Sequence, residues 1–268
     1  MGNTSKKTLG RSMATERFTL EQHQNIRVGL FLGIGPIAGA HFYKLFEESF
    51  AGMTDYEHPI VLCYSNPQKP KVAPSPQSRS DEPSPSLLDG MTFFQRNGVD
   101  FVMAPCNSLM FYREELQRHS GIPILDIIGE VASAIKDQFP DTKKIGLLAT
   151  EYTVRWKLYH QALGSTLTGV EVLGPEELYQ REIHHAIEEI KQGRHLQEDI
   201  PKQRLILAAN HLVSRGAEVV IAGCTELPCA LQSEDLRGTR LIDSSRVLAQ
   251  AGYRIVNEMR SRTPPPPQ

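Results

Sequence analysis

The sequence predicts an α/β protein built from parallel sheets. Short apolar segments of strand composition alternate with longer segments that carry apolar residues at helical spacing, as in strand–helix–strand units. Glycines or polar residues follow the apolar segments, as expected where strands end. The pattern of the first half begins again near residue 143, which indicates an internal repeat.

The first half of the chain predicts four strands and the segments between them. The strands are expected within residues 26–35, 59–66, 99–106 and 122–128. A helix follows the first strand, because apolar residues recur there at helical spacing at Phe42, Leu45, Phe46 and Phe50. A second helix is expected to begin near Asn107. Residues 67–86 are rich in proline and serine, so we expect a long loop that is either a functional lid or disordered.

The second half repeats this order. Strands are expected within residues 143–154, 170–175, 217–224 and the start of 239–259, with helices within 181–193 and 203–216. A last helix completes the segment 239–259, and Asp243 or Ser244 is placed to cap it.

The repeat has a nearly constant offset, which predicts the domain organisation. Val28-Gly29-Leu30 matches Ile145-Gly146-Leu147, and Cys106 matches Cys224 at almost the same separation. We therefore expect two similar doubly wound lobes with a pseudo-twofold relation and a cleft between them. The first lobe would span 26–127 and the second 128–240, with residues 241–260 packing back onto the first. Residues 1–25 and 261–268 are expected to be flexible tails.

Composition excludes several classes of function. The 268 residues are 40% hydrophobic and 22% charged with a formal net charge of -2, so we expect neither nucleic acid nor an acidic membrane as a partner. No apolar run reaches the length of about 20 residues that spans a membrane. The start of the sequence has no apolar signal core, and its four cysteines suggest reduced thiols, so a cytoplasmic location is expected. No second Cys/His pair accompanies Cys224 and Cys229, so we expect no metal site.

Cys106 and Cys224 are the candidate catalytic residues. Each stands where an apolar strand ends and polar residues begin, and a following helix N-terminus would lower the thiol pKa toward neutrality. Two such thiols on opposite sides of a cleft suit proton removal from one face of a carbon and proton return to the other. The product is then the mirror image of the substrate. Asn107, Ser108 and Thr225 offer donors for a substrate carboxylate.

Cysteines in apolar segments are usually packing residues. Cys63 and Cys229 are assigned to that role, because Cys63 lies inside a predicted strand and Cys229 has no counterpart in the repeat. The matched positions of Cys106 and Cys224 favour a functional role for those two.

The motifs GIGPIAG, NPQ, APCNS, GLLAT and AGCTELP, in this order over about residues 26–256, resemble the aspartate/glutamate racemase family and most closely its aspartate branch. The resemblance implies a cofactor-independent amino-acid racemase with two α/β lobes, often a homodimer, that interconverts L- and D-aspartate through two cysteines. It implies Cys106 and Cys224 as the two bases. It implies a substrate pocket formed by Asn66, Gln68, Asn107, Ser108, Thr153, Lys191, Thr225 and Glu226. Glutamate racemases usually have histidine at position 226, so Glu226 is similar to the aspartate type.

The sequence also departs from the family pattern. Lys71 and Val72 occupy the positions of an acid and of the arginine that grips the side-chain carboxylate, and valine cannot make that contact. A basic residue of the same loop could substitute, with Lys69, Lys71 and Arg79 as candidates. Leu32 and Tyr152 replace two family glycines, and Tyr152 could narrow the pocket. Lys191 near a helix end could also be a solvent-exposed charge.

Four alternatives stand beside aspartate racemisation. GIGPIA matches the dinucleotide pattern G-x-G-x-x-A, but Pro36 removes one N–H donor and the second strand ends without an acidic residue. A racemase or epimerase for another amino acid would explain the altered loop, and relatives with one catalytic cysteine decarboxylate or isomerise. A non-catalytic ligand-binding protein would bind in the cleft without exchanging the α-proton.

Overall fold

The computed structural model describes residues 26–68, 82–236 and 238–262. Residues 1–25 and 263–268 of the predicted tails and residues 69–81 of the predicted loop lie outside these ranges, together with Lys69, Lys71, Val72 and Arg79.

The first sheet has three parallel strands in the order β2-β1-β3. The strands are β1 (Arg27–Leu32), β2 (Ile60–Ser65) and β3 (Phe101–Met103). The helices in this part of the chain are α1 (Pro36–Glu48), α2 (Pro85–Arg96), α3 (Arg113–Ser120) and α4 (Ile127–Gln138). Buried β1 is the central strand, because β2 and β3 pair with its two edges.

The second sheet has four parallel strands in the order β5-β4-β6-β7. The strands are β4 (Lys144–Ala149), β5 (Glu171–Leu173), β6 (Val219–Gly223) and β7 (Arg240–Asp243). The helices are α5 (Glu151–Arg155), α6 (Leu158–Thr166), α7 (Glu177–Lys191), α8 (Ile200–Ser214) and α9 (Ser244–Arg262).

The two sheets repeat one plan. The order β2-β1-β3 corresponds to β5-β4-β6, and in each case the first strand of the half is central. The predicted α/β class, with parallel sheets in two similar lobes, is thereby confirmed. Strand β7 extends only the second sheet, and α9 packs against α1 and α4. The exact division of the chain between the lobes stays a prediction.

Residues 122–128 do not form the predicted strand. Only Ile124 makes a bridge, to Val102, and α4 begins at Ile127. The carboxylate of Asp126 accepts hydrogen bonds from the backbone N–H groups of Ile128 and Gly129 at 3.0 and 3.1 Å. This N-cap starts a helix within the apolar run, and an apolar run alone does not distinguish a strand from a buried helix.

The largest apolar core joins both lobes. It contains side chains of β1 and α1 together with those of β4, β6 and α9, among them Val28, Phe46, Leu147, Ile221 and Leu248. Within the described ranges no helix is long and apolar enough to cross a membrane. The shared core holds the carboxyl ends of the two sheets in a fixed relation.

Candidate active site

The two predicted catalytic cysteines follow equivalent strands. Cys106 comes shortly after β3 and Cys224 directly after β6. The two loops touch, because the Thr225 hydroxyl donates a hydrogen bond to the carbonyl oxygen of Pro105 at 2.8 Å. Cys224 is 6% exposed, whereas Cys106 keeps a partly exposed surface. The fold therefore brings together the two segments that the sequence repeat singled out.

Glu226 is the side-chain partner of Cys224. The Cys224 thiol donates to Glu226 Oε2 at 2.9 Å, and Glu226 is only 3% exposed. Among the described residues, the other carboxylate oxygen, Oε1, has no hydrogen-bond partner. Burial raises the pKa of Glu226, and the charge of Lys191 opposes that shift. A buried carboxylate with a raised pKa next to a thiol can take up the thiol proton.

Gly35 makes room for this carboxylate. Its φ of 103° lies in the left-handed region, and a Cβ atom there would overlap with Glu226 Oε1. Gly35 is the N-cap of α1, so the carboxylate from the second sheet lies beside the positive end of a helix of the first. Gly35 of the GIGPIAG motif thus leaves space for a carboxylate of the protein itself, that of Glu226.

Lys191 lies at the end of α7, and its positive charge acts on several ionisable groups of the site. Its Nζ forms an ion pair with Glu188 at 2.9 Å. Its charge also acts on Glu226 and favours the ionised forms of Cys106 and Cys224. Lys191 is therefore part of the electrostatic environment of both thiols.

The expectation of a lowered thiol pKa was wrong. Burial raises the pKa of Cys106 to about 12, although the backbone N–H groups of Leu109 and Ser108 act in the opposite direction. Burial, followed by the charge of Glu226, raises the pKa of Cys224 well above its usual value. Loss of hydration outweighs the helix field because only a short 3-10 helix, residues Asn107–Tyr112, follows Cys106. Both residues are therefore thiols at neutral pH, and either one needs a proton acceptor to become a thiolate.

Two predicted substrate-binding residues meet in a buried hydroxyl cluster. Ser108 Oγ lies 3.0 Å from Thr153 Oγ1 and 3.0 Å from Thr150 Oγ1. The two threonine hydroxyls are 3.2 Å apart. Ser108 follows β3 and the threonines follow β4, so the cluster joins the two halves of the chain. A substrate carboxylate would have to exchange hydrogen bonds with this cluster.

Asn107 is held by residues that the sequence reasoning did not assign to the site. Tyr159 donates its hydroxyl hydrogen to Asn107 Oδ1 at 2.6 Å, and Asn107 Nδ2 donates to Ser244 Oγ at 3.2 Å. Ser244 was considered only as a helix cap, a role that Asp243 fills by accepting from the backbone N–H groups of Ser245 and Arg246. No pattern in the sequence around Tyr159 or Ser244 predicts its contact with Asn107.

Asn66 and Gln68 follow β2 at the same edge of the first sheet. Asn66 lies against the β1–α1 turn, since a Cβ atom at Gly33 would come within 2.7 Å of its backbone nitrogen. The backbone N–H of Gln68 donates to Asn66 Oδ1 at 3.3 Å. Their contact with a substrate stays a prediction.

The remaining cysteines differ from each other. Cys63 is exposed on the edge strand β2, so the assignment of Cys63 to core packing was wrong. Its exposure follows from the position of β2 at the edge of the first sheet, where β1 is the neighbouring strand on one side alone among the described strands. Cys229 is partly buried and packs against the second apolar cluster. Within the described part of the chain, no group of three or more His, Cys, Asp or Glu residues could hold a metal ion.

Known proteins resemble this chain in sequence and in fold. The broad-specificity amino-acid racemase RacX of Bacillus subtilis (strain 168) is 30% identical over 231 residues, which cover 84% of this chain and 95% of RacX. The aspartate racemase of Picrophilus torridus superimposes with a TM-score of 0.74 at 20% identity, covering 87% of this chain and 94% of that one. A glutamate racemase from Francisella tularensis subsp. tularensis SCHU S4, in complex with D-glutamate, gives a TM-score of 0.64 at 16% identity, covering 91% and 86%.

The family model described as Asp/Glu/Hydantoin racemase matches residues 31–252. The matched segment contains both cysteine loops, the glycine turn before α1 and the hydroxyl cluster after β4. The chain therefore belongs to the Asp/Glu/hydantoin racemase family.

Proposed function

We propose that the protein is a cofactor-independent racemase that interconverts L- and D-aspartate, with Cys106 and Cys224 as the two bases. The observation that carries the proposal is the contact between the two cysteine loops at the ends of equivalent strands, with Glu226 bonded to the Cys224 thiol. The homodimer and the cytoplasmic location expected from the sequence are part of the same proposal.

The reaction begins with a proton transfer inside the site. Glu226 accepts the Cys224 proton, and the resulting thiolate removes the α-proton from one face of the substrate. The electron pair of the broken C–H bond stays on the α-carbon and is delocalised into the carboxylate, which donors at the site stabilise. The Cys106 thiol then donates its proton to the opposite face. The substrate leaves inverted, with Cys106 as the thiolate, Cys224 as the thiol and Glu226 protonated.

A second candidate is a racemase for other amino acids. RacX, which shares 30% identity over nearly its full length, is described as having broad specificity. The Tyr152 ring packs against Trp156, with 5.4 Å between the ring centroids. The charge of Lys191 acts on the Tyr152 hydroxyl, so this aromatic side chain lies near the site. Lys191, whose charge acts on both cysteines, is already paired with Glu188. These observations favour a substrate side chain that is not an anion.

The test is proton NMR in deuterated buffer with L- and D-aspartate, then glutamate, then a panel of neutral and basic amino acids. Loss of the α-proton signal with inversion of configuration identifies both the reaction and the substrate. Exchange with aspartate alone supports the first candidate, and exchange with neutral or basic amino acids supports the second. Binding without exchange for every amino acid would refute the racemase proposal.

We expect Cys106→Ala and Cys224→Ala each to lower the rate of racemisation on the order of a thousandfold, because inversion needs both an acid and a base. Cys63→Ala is the matched control, since Cys63 is exposed on β2 and distant in the sequence from both loops. Racemisation at the wild-type rate in either of the first two variants would exclude the two-base assignment.

A further inference from the structure

One buried hydroxyl at the start of α9 contacts both cysteine-bearing segments. Ser244 Oγ accepts from Asn107 Nδ2 at 3.2 Å and donates to the carbonyl oxygen of Ala222 at 2.7 Å. Asn107 directly follows Cys106, and Ala222 lies two residues before Cys224. Ser244 is fully buried, so solvent does not compete for these bonds. A single side chain therefore lies between the two catalytic segments.

Tyr159 completes a directed chain of hydrogen bonds. Its hydroxyl donates to Asn107 Oδ1 at 2.6 Å, and Tyr159 is also fully buried. A side-chain amide has one accepting and one donating end, so Tyr159 and Ser244 together allow one orientation of Asn107. Because Ser244 accepts from the amide, its own proton is free for Ala222. Each bond in the chain fixes the direction of the next.

We propose that Ser244 and Tyr159 are positioning residues, which hold the Cys106 and Cys224 segments at a fixed separation. This inference rests on the proposed two-cysteine reaction. Proton transfer to and from opposite faces of one carbon requires both sulfur atoms to be aligned on it, and small displacements cost rate. Asn107 then acts through its buried amide as a link between α6, α9 and the Cys106 loop, and its side chain is not available in full to a substrate carboxylate.

The first test compares Ser244→Ala with Ser245→Ala. Ser245 is the adjacent residue, is equally buried, and its hydroxyl has no hydrogen-bond partner in the described part of the chain. We expect Ser244→Ala to lower kcat about tenfold in both directions, with KM nearly unchanged, because alignment rather than binding is lost. Ser245→Ala should keep the wild-type kcat. Equal kcat values for the two variants would overturn the proposal.

The second test is a double-mutant cycle between Tyr159 and Asn107. If Tyr159 acts by holding the amide, Tyr159→Phe lowers kcat in the wild-type background and has no further effect in an Asn107→Ala background. Tyr253→Phe, which removes a hydroxyl from a partly buried ring of α9 that packs against Phe50, controls for the loss of a tyrosine hydroxyl. Equal losses from Tyr159→Phe in both backgrounds would show a role independent of Asn107.

Alkylation of Cys106 by iodoacetamide, followed by peptide mass spectrometry, separates this inference from the proposed function. A wild-type protein that exchanges no amino-acid α-proton refutes the function, but the alkylation rate still reports on the loop. We expect Ser244→Ala and Tyr159→Phe to raise the Cys106 alkylation rate several-fold over Ser245→Ala, and unchanged rates would reject the positioning role. If circular dichroism shows Ser244→Ala to be unfolded, Tyr159→Phe provides the same comparison.

Discussion

Glu226 is almost fully buried, with one carboxylate oxygen bonded to the Cys224 thiol and the other lacking a partner among the described residues. Burial raises its pKa above the value of 4.5 for the free side chain. A group of this kind contributes stability below its unfolded pKa and loses it as the pH rises through the folded pKa. At neutral pH, which lies above the unfolded pKa, Glu226 therefore makes the free energy of unfolding smaller than it is in acid.

We expect Glu226→Gln to raise the Tm at pH 7 and to leave it unchanged below pH 4.5, where the wild-type carboxyl is protonated. The same variant should lower kcat roughly a hundredfold, since an amide cannot take the thiol proton. Thermal unfolding over a pH series and α-proton exchange measure the two effects.

Glu218→Gln is the control, because the pKa of Glu218 is shifted in the direction opposite to that of Glu226. Backbone N–H groups of Lys143 and Lys144 lower the pKa of Glu218, so its stabilisation is present at neutral pH and disappears as the pH falls through the folded pKa. Glu218→Gln should therefore lower the Tm at pH 7. A wild-type kcat in the Glu226→Gln variant would show that the Glu226 carboxylate takes no part in the reaction.

At the scale of elements, the start of α1 is fitted to a side chain of the other lobe. Pro36 provides the first turn, and Gly35 before it adopts a backbone conformation that L-residues rarely take. The space above Gly35 holds the Glu226 carboxylate. Helix α1 thus contributes to the site through its N-terminal end and to the core through Phe42 and Phe46.

We expect Gly35→Ala to reduce both stability and activity, and Gly52→Ala to reduce stability alone. Both glycines have positive φ values, 103° and 92°, so each alanine costs about 1 kcal/mol of backbone strain. A Cβ atom at Gly52 meets nothing within 4 Å, whereas one at Gly35 displaces Glu226. Urea unfolding and kcat measure the difference. Equal kcat values in the two variants would argue against a functional contact between Gly35 and Glu226.

At the scale of the whole molecule, two lobes share one apolar core. The largest buried cluster includes strands of both sheets, and α9 packs on α1 after leaving the second sheet through β7. The hydroxyl cluster around Ser108 and the bond from Thr225 to Pro105 add polar contacts between the halves. Neither lobe can separate without exposing apolar surface that the other covers.

We therefore expect urea unfolding in a single cooperative transition. The protein has one tryptophan, Trp156, which is 8% exposed and packs against Phe111 at 4.6 Å between ring centroids. Its fluorescence reports the junction between the residues after β3 and α5, while far-ultraviolet circular dichroism reports all helices. Coincident midpoints are expected for one unit. Two separated midpoints would show that the lobes unfold independently.

Much of the architecture could be predicted from local pattern. Strand composition, helical spacing and the repeat identified the parallel sheets and placed Cys106 and Cys224 at equivalent strand ends, because these features depend on neighbouring residues. The strand predicted at 122–128 failed, since an apolar run has the same appearance in a strand and in the helix that Asp126 caps. The exposure of Cys63 was missed because the edge position of β2 depends on strand order.

By itself, the sequence determined the fold class, the twofold plan and the two cysteines with their polar neighbours. Each of these features depends on the spacing and composition of residues that are close in the chain. Only the tertiary structure decided the protonation state of those thiols and the hydrogen-bond partners that hold the segments around them. Burial, which no local pattern measures, reversed the expected pKa shift of Cys106 and Cys224. The bonds that join Asn107 to Tyr159 and Ser244 connect residues 52 and 137 positions apart, and only packing of the complete chain brings such residues together.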